Sequence, residues 1–100
     1  RGVLMCFAEA DGRFLWQAVF PKLESGHVND WPQEGLVSTP TVEGDRVYFV
    51  TNRCTVVCAD VNGLADGNHG AQDEPFRDPT DCDVLWEYDM IDELGVFPHN

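Results

Sequence analysis

Four cysteines, three histidines and eighteen carboxylates are the residues of this 100-residue chain that could do chemistry. Cys54 and Cys58 lie four apart in a β-prone run. On a strand they share a face but sit about 13 Å apart, too far to be bridged to each other. A zinc site would need Cys82 and His69 folded back beside them, and the spacing matches no zinc knuckle. The cysteines read as structural thiols, with a Cys54–Cys82 disulfide as the alternative. The run Asp60-Val61-Asn62-Gly63-Leu64-Ala65-Asp66-Gly67-Asn68 has the look of a calcium loop, with Asp60, Asn62 and Asp66 as its candidate ligands. It departs from the EF-hand template, because its glycine falls at the fourth position and Ala71 stands where the closing acid belongs. Asp73 and Glu74 could add oxygens, and the plain alternative is a solvated acidic loop. His27, His69 and His99 have no partner set for nucleophilic catalysis. Paired acids such as Asp92-Glu93 are no glycosidase signal in so acidic a chain. There is no glycine-rich phosphate loop, and no catalytic residue is assigned.

The elements that must position these groups are strands. Residues 38–60, STPTVEGDRVYFVTNRCTVVCAD, organise the chain. Residues 39–42 are β-prone, Glu43-Gly44-Asp45 is a hairpin turn, 46–51 a second strand, Asn52-Arg53 a second tight turn and 54–59 a third strand. The two longer runs are β-branched and apolar without alternation. That predicts cover on both faces, hence a sheet stacked between other sheets. Their short length and β-branched content disfavour helix. Upstream, residues 1–8 and 13–17 form a hairpin. Residues 17–37, with Pro21, Gly26, Pro32 and Gly35, form a connection too punctuated for a helix. Residues 64–82 form an acidic surface loop, and 84–88 the outermost strand. Asp89 caps one helical turn over 90–94, which Gly95 ends.

The chain also repeats itself. Cys6, Gly12 and Trp16 punctuate the opening hairpin, and Cys58, Asp60, Gly63 and Trp86 the later one. Superposing Cys58 on Cys6 brings Val56 onto Leu4 and Trp86 onto Trp16, once about 18 residues are inserted in the second turn. A small residue lets sheets approach, a glycine makes the turn, and an indole fills the gap between layers.

This pattern resembles the repeats of the pyrroloquinoline-quinone (PQQ)-type β-propellers, whose motif runs Ala-x-Asp-x-x-x-Gly-x-x-x-Trp. Cys6 stands at the Ala position, and Gly12 and Trp16 match. Ala8 replaces the Asp, and Asp11 the Thr usual before the Gly. The second copy keeps Asp60 and Trp86, but the insertion rebuilds its turn. The run from Ser38 to Tyr48 is similar to the first two strands of such a blade. The resemblance covers about two-thirds of the chain. It implies an all-β fold of antiparallel four-stranded blades, a fragment of a PQQ-like β-propeller of about one and a half blades. Residues 1–17 would be the outer hairpin of a preceding blade and 18–37 the inter-blade connection. Residues 38–90 would be one blade with an acidic insertion at 64–82, and 91–100 the start of the next connection. A propeller closes with roughly four to eight blades, so a piece of a longer protein is expected.

In the resembled enzymes, ligands sit on the face shared by the inter-blade connections and the turn between the second and third strands. That would gather Asn29, Asp30, Trp31, Asn52, Arg53, His99 and Asn100, with the long insertion on the opposite face. Arg53 offers a fork for the carboxylates of PQQ, Trp31 a stacking surface, and Asp30 or Asn29 a calcium ligand. In the plain alternative, Asn52 makes the turn, Arg53 pairs with Asp30 or a neighbour, and Trp31 packs between blades. The adjacent redox cysteines of some quinoproteins are not here.

A net charge of −12 argues against nucleic acid, which needs a basic stripe. The six basic residues form no cluster for an acidic membrane surface. No apolar run approaches membrane-spanning length, and no signal peptide is visible. The resemblance implies a periplasmic or exported location. The function expected is a binding or scaffolding propeller of the cell envelope, without a cofactor. It would be similar to the lipoprotein component of the outer-membrane β-barrel assembly machinery. Its partners would be the remaining blades and an envelope protein. The alternative is a PQQ- and calcium-dependent quinoprotein dehydrogenase acting on alcohols or sugars, with an Asp as base.

Overall fold

Val, Phe, Tyr and Thr crowd the strand runs, and side chains of this shape fit a pleated surface better than a helix. The computed structural model describes residues 1–23, 33–70 and 78–97, and in it these runs pair into two antiparallel sheets. Strands β1 (Gly2–Phe7) and β2 (Phe14–Phe20) form a hairpin. Strands β3 (Thr41–Glu43), β4 (Arg46–Val50), β5 (Thr55–Asp60) and β6 (Asp83–Asp89) form a four-stranded meander in that order. One helical turn, α1 (Met90–Leu94), follows. The fold is nearly all-β. No helix among the described residues is long and apolar enough to cross a membrane.

Local chemistry sets most boundaries. β2 runs to Phe20, three residues beyond the expected Gln17, because its ladder continues opposite Gly2 until Pro21, which has no N–H to give. β3 starts at Thr41, directly after Pro40. Ser38 clamps the incoming chain to β4: its hydroxyl donates to Val50 O at 2.8 Å and accepts from Val50 N at 3.1 Å. Asp89 caps α1 as expected, its Oδ1 accepting from the N–H groups of Ile91 and Asp92 at 2.9 and 3.1 Å. Gly95 ends the turn in the left-handed region, at φ 64°.

The hairpin β1–β2 covers one face of the larger sheet. Trp16, Ala18, Val47, Phe49, Val57, Ala59 and Cys82 make the core between them, and the rings of Phe20 and Phe49 meet edge to face at 5.8 Å. The expectation of cover on both faces holds for β5, where Val57 to Asp60 are all buried, but not for β4. On β4, Val47 and Phe49 are buried while Arg46, Tyr48 and Val50 are only half-buried. The reason is that, among the described residues, a layer packs on one side alone. On the other side, Cys58 is 1% exposed because its cross-strand neighbours, Tyr48 and Trp86, close over it with ring centroids 6.2 Å apart.

Residues 64–82 differ from a plain surface loop at their far end. Gln17 N donates to Thr80 O at 2.8 Å and Cys82 N to Gln17 O at 2.9 Å, forming a parallel bridge that ties the segment to β2. Cys82 is 7% exposed there. The four cysteines are free thiols. Register explains why Cys54 and Cys82 are not joined: Cys54 precedes Thr55 and Cys82 precedes Asp83, the partner of Asp60, so β5 separates them. Its six residues span well beyond the reach of a disulfide.

Candidate functional site

The repeat is visible in the backbone register. Cys6 lies opposite Trp16 in one hairpin and Cys58 opposite Trp86 in the other. Directly beyond each Cys the ladder slips, leaving Leu15 and Leu85 as the extra residues of two equivalent bulges. Gly12 and Gly63 both turn the chain with positive φ, at 72° and 60°. Trp16 reaches across to the other sheet. Its indole N–H donates to Val61 O at 2.8 Å, and its ring covers Gly63, where an added Cβ would sit 2.6 Å from Cδ1. Trp86, its counterpart, is 49% exposed. It is not the buried filler that the repeat alone predicts, because among the described residues no layer lies over it.

The two ends of the larger sheet carry different chemistry. At one end, residues 51–54 form the turn between β4 and β5. Asn52 Nδ2 donates to Pro21 O and Arg53 to Lys22 O, each at 3.0 Å. Asn52 is 2% exposed and sits against Gly2, where a Cβ would collide with its side-chain oxygen. Both side chains therefore tie this turn to the connection leaving β2. These bonds commit the donors to backbone carbonyls. Cys54 takes the left-handed region at φ 59°, which lets the turn close through Cys54 N to Thr51 O at 3.1 Å. The other candidates for this end, Asn29, Asp30, Trp31, His99 and Asn100, lie outside the described residues.

At the opposite end is the acidic segment. Asp60 Oδ1 accepts from Asn62 N at 2.8 Å, which starts the turn after β5. Side-chain ligand atoms of Asp60, Asp66 and His69 lie within 4.8 Å of one another. His69 Nε2 stands 3.6 Å from Asp66 Oδ1. Of the expected calcium ligands, Asp60 and Asp66 are thus brought together and Asn62 joins through its backbone N–H. His69, considered above only as a zinc partner of the cysteines, stands with the acids instead. The further acids considered for this loop, Asp73 and Glu74, lie outside the described residues, as does Ala71. Asp83, fully buried, was also missed by sequence reasoning. Its Oδ2 accepts from His69 N at 2.8 Å and its Oδ1 from Gly70 N at 3.0 Å. The signal for it was its position at the start of β6, directly across the ladder from Asp60.

Titration behaviour elsewhere follows local contacts. Burial pushes the Cys6 thiol up. The Tyr48 phenol is raised by desolvation and then by the neighbouring Cys58. The N–H and hydroxyl of Thr80 hold the Asp78 carboxyl below its usual range. A cleft of about 590 Å³ opens between β2 and β6, lined by Arg1, Gln17, Phe20, Cys82, Val84 and Glu87 among others. None of the tentative ligand or calcium residues among the described ones, Asn52, Arg53, Asp60, Asn62 and Asp66, lines it. No protein-family model, curated protein or solved structure matches the chain.

Proposed function

We propose that this chain is a stacking unit of a PQQ-like β-propeller that serves as a binding or scaffolding layer of the cell envelope. The observation that carries the reading is the pair of equivalent tryptophans. Trp16 leaves its own hairpin to dock on the Val61–Gly63 turn of the neighbouring sheet. Trp86 repeats its register and bulge but faces away from the first hairpin, half exposed beside Tyr48. Each layer thus offers the same face outward, which is how a head-to-tail stack propagates. A rigid stack of this kind presents its loop ends to a partner.

The dehydrogenase alternative has less support. Arg53 and Asn52, the donors it would use for the quinone, are engaged with the carbonyls of Lys22 and Pro21. The test is made on the full-length protein. Acrylamide quenching should find Trp86 as shielded as Trp16, and a Trp86 still open to quencher would end the ring reading. Adding PQQ and calcium should give neither stoichiometric absorbance change nor dye-linked alcohol oxidation. Turnover that disappears in Arg53→Lys, which keeps the charge but not the fork, would replace scaffold with enzyme.

A further inference from the structure

The end of β5 and the loop after it hold donors that the stacking role leaves unused. Nearness of acids alone proves nothing, so the burial of Asp60 is the deciding feature. Asp60 is 3% exposed and Asp83, directly opposite it in the ladder, is 0% exposed. Like charges facing each other across a strand pair destabilise it, and a buried carboxylate without a countercharge is costly. Asp83 resolves its share by taking one backbone N–H on each oxygen. Asp60 does not. Among the described residues it takes one N–H, from Asn62, on Oδ1 alone, and no lysine or arginine forms an ion pair with either buried acid. A carboxylate oxygen of Asp60 lies within 4.8 Å of ligand atoms of Asp66 and His69, so the buried acid borders the space these two share.

We propose that Asp60, Asp66 and His69 bind a divalent first-row transition ion of the zinc or manganese kind, which staples the loop 61–70 to the end of β5. The donor set selects the class. Calcium takes oxygen ligands, whereas two carboxylates with one imidazole suit zinc or manganese and leave a position for water. Zinc would need its donors at about 2.0–2.2 Å, closer together than they stand now. The side chains of Asp66 and His69 are 45% and 56% exposed, so the closing movement falls to them, while Asp60 is held by its strand. That movement exchanges the contact of His69 Nε2 with Asp66 O, 3.2 Å long, for the ion. Asp83 positions the third ligand, because it grips the backbone N–H of His69. The ion neutralises the paired acids and fixes the turn on which Trp16 docks.

The test is titration of the full chain, stripped with chelator, with Zn²⁺, Mn²⁺ and Ca²⁺ separately, followed by calorimetry, tryptophan fluorescence and thermal melting. Zn²⁺ or Mn²⁺ should saturate at one ion per chain and raise the melting temperature. His69→Ala and Asp66→Asn, both at exposed side chains, should leave the metal-free melt unchanged. Each should weaken binding by at least about 10- to 100-fold, the loss that even supporting residues of metal sites show. Three results would overturn the assignment. One is no saturable binding of either ion. Another is zinc binding that survives both substitutions but is lost on alkylating the cysteines. The third is a preference for Ca²⁺ that ignores His69→Ala.

Discussion

The hairpins β1–β2 and β5–β6 are built alike and end up in different surroundings. Each sets a cysteine opposite a tryptophan, slips by one leucine beside that pair, and turns through a left-handed glycine. Yet Trp16 is 4% exposed and Trp86 49%, while Cys58 is better covered than Cys6. The local pattern decides which face each indole occupies. What lies over that face decides whether the indole is buried. In the first hairpin the larger sheet supplies the cover, and in the second only the Tyr48 ring lies alongside among the described residues.

The largest test of this contrast is truncation of the two indoles. Trp16→Ala should cost about 3–5 kcal/mol, because it empties the inter-sheet core and removes the bond to Val61 O. Trp86→Ala in the same chain should cost under about 1 kcal/mol, as befits a half-exposed site. Urea midpoints would measure both, and equal losses would break the comparison. Within a closed ring, the Trp86 loss should instead rise to the Trp16 level.

The turn glycines sharpen the contrast at a smaller scale. An alanine in the left-handed region costs about 1–2 kcal/mol, so Gly12→Ala, with nothing within 4 Å of the new Cβ, should lose that and no more. Gly63→Ala adds collision with the Trp16 ring and should lose at least about 1 kcal/mol beyond it. Chemical denaturation of both variants compares them directly. If they match, Trp16 is not seated on that turn. Smallest is the cap of α1, which finishes the second hairpin. Asp89→Ala should cost about 1 kcal/mol in thermal melts, with the Trp16 environment unaltered.

Much of the architecture is legible in residue order. The turns at Gly44 and Asn52-Arg53, the cap at Asp89 and the stop at Gly95 are local events. Each depends on a few residues that accept particular backbone angles or offer one side-chain acceptor. The strand ends are less legible, because β2 continues to Phe20 only by virtue of its partner Gly2. The site is legible in part. Asp60 and Asp66 stand out in an acidic run, whereas His69 joins them through loop folding and Asp83 through strand pairing across the insertion.

The order of residues by itself determined the antiparallel β character, the duplicated cysteine–tryptophan hairpin and the helical turn, since each follows from side-chain shape and short-range hydrogen bonding. Only tertiary structure decided which tryptophan is buried, that Asn52 and Arg53 grip the carbonyls after β2, and that two buried acids face each other at the end of β5. Those outcomes depend on contacts between segments far apart in the chain, where packing and electrostatics act on neighbours that residue order does not name.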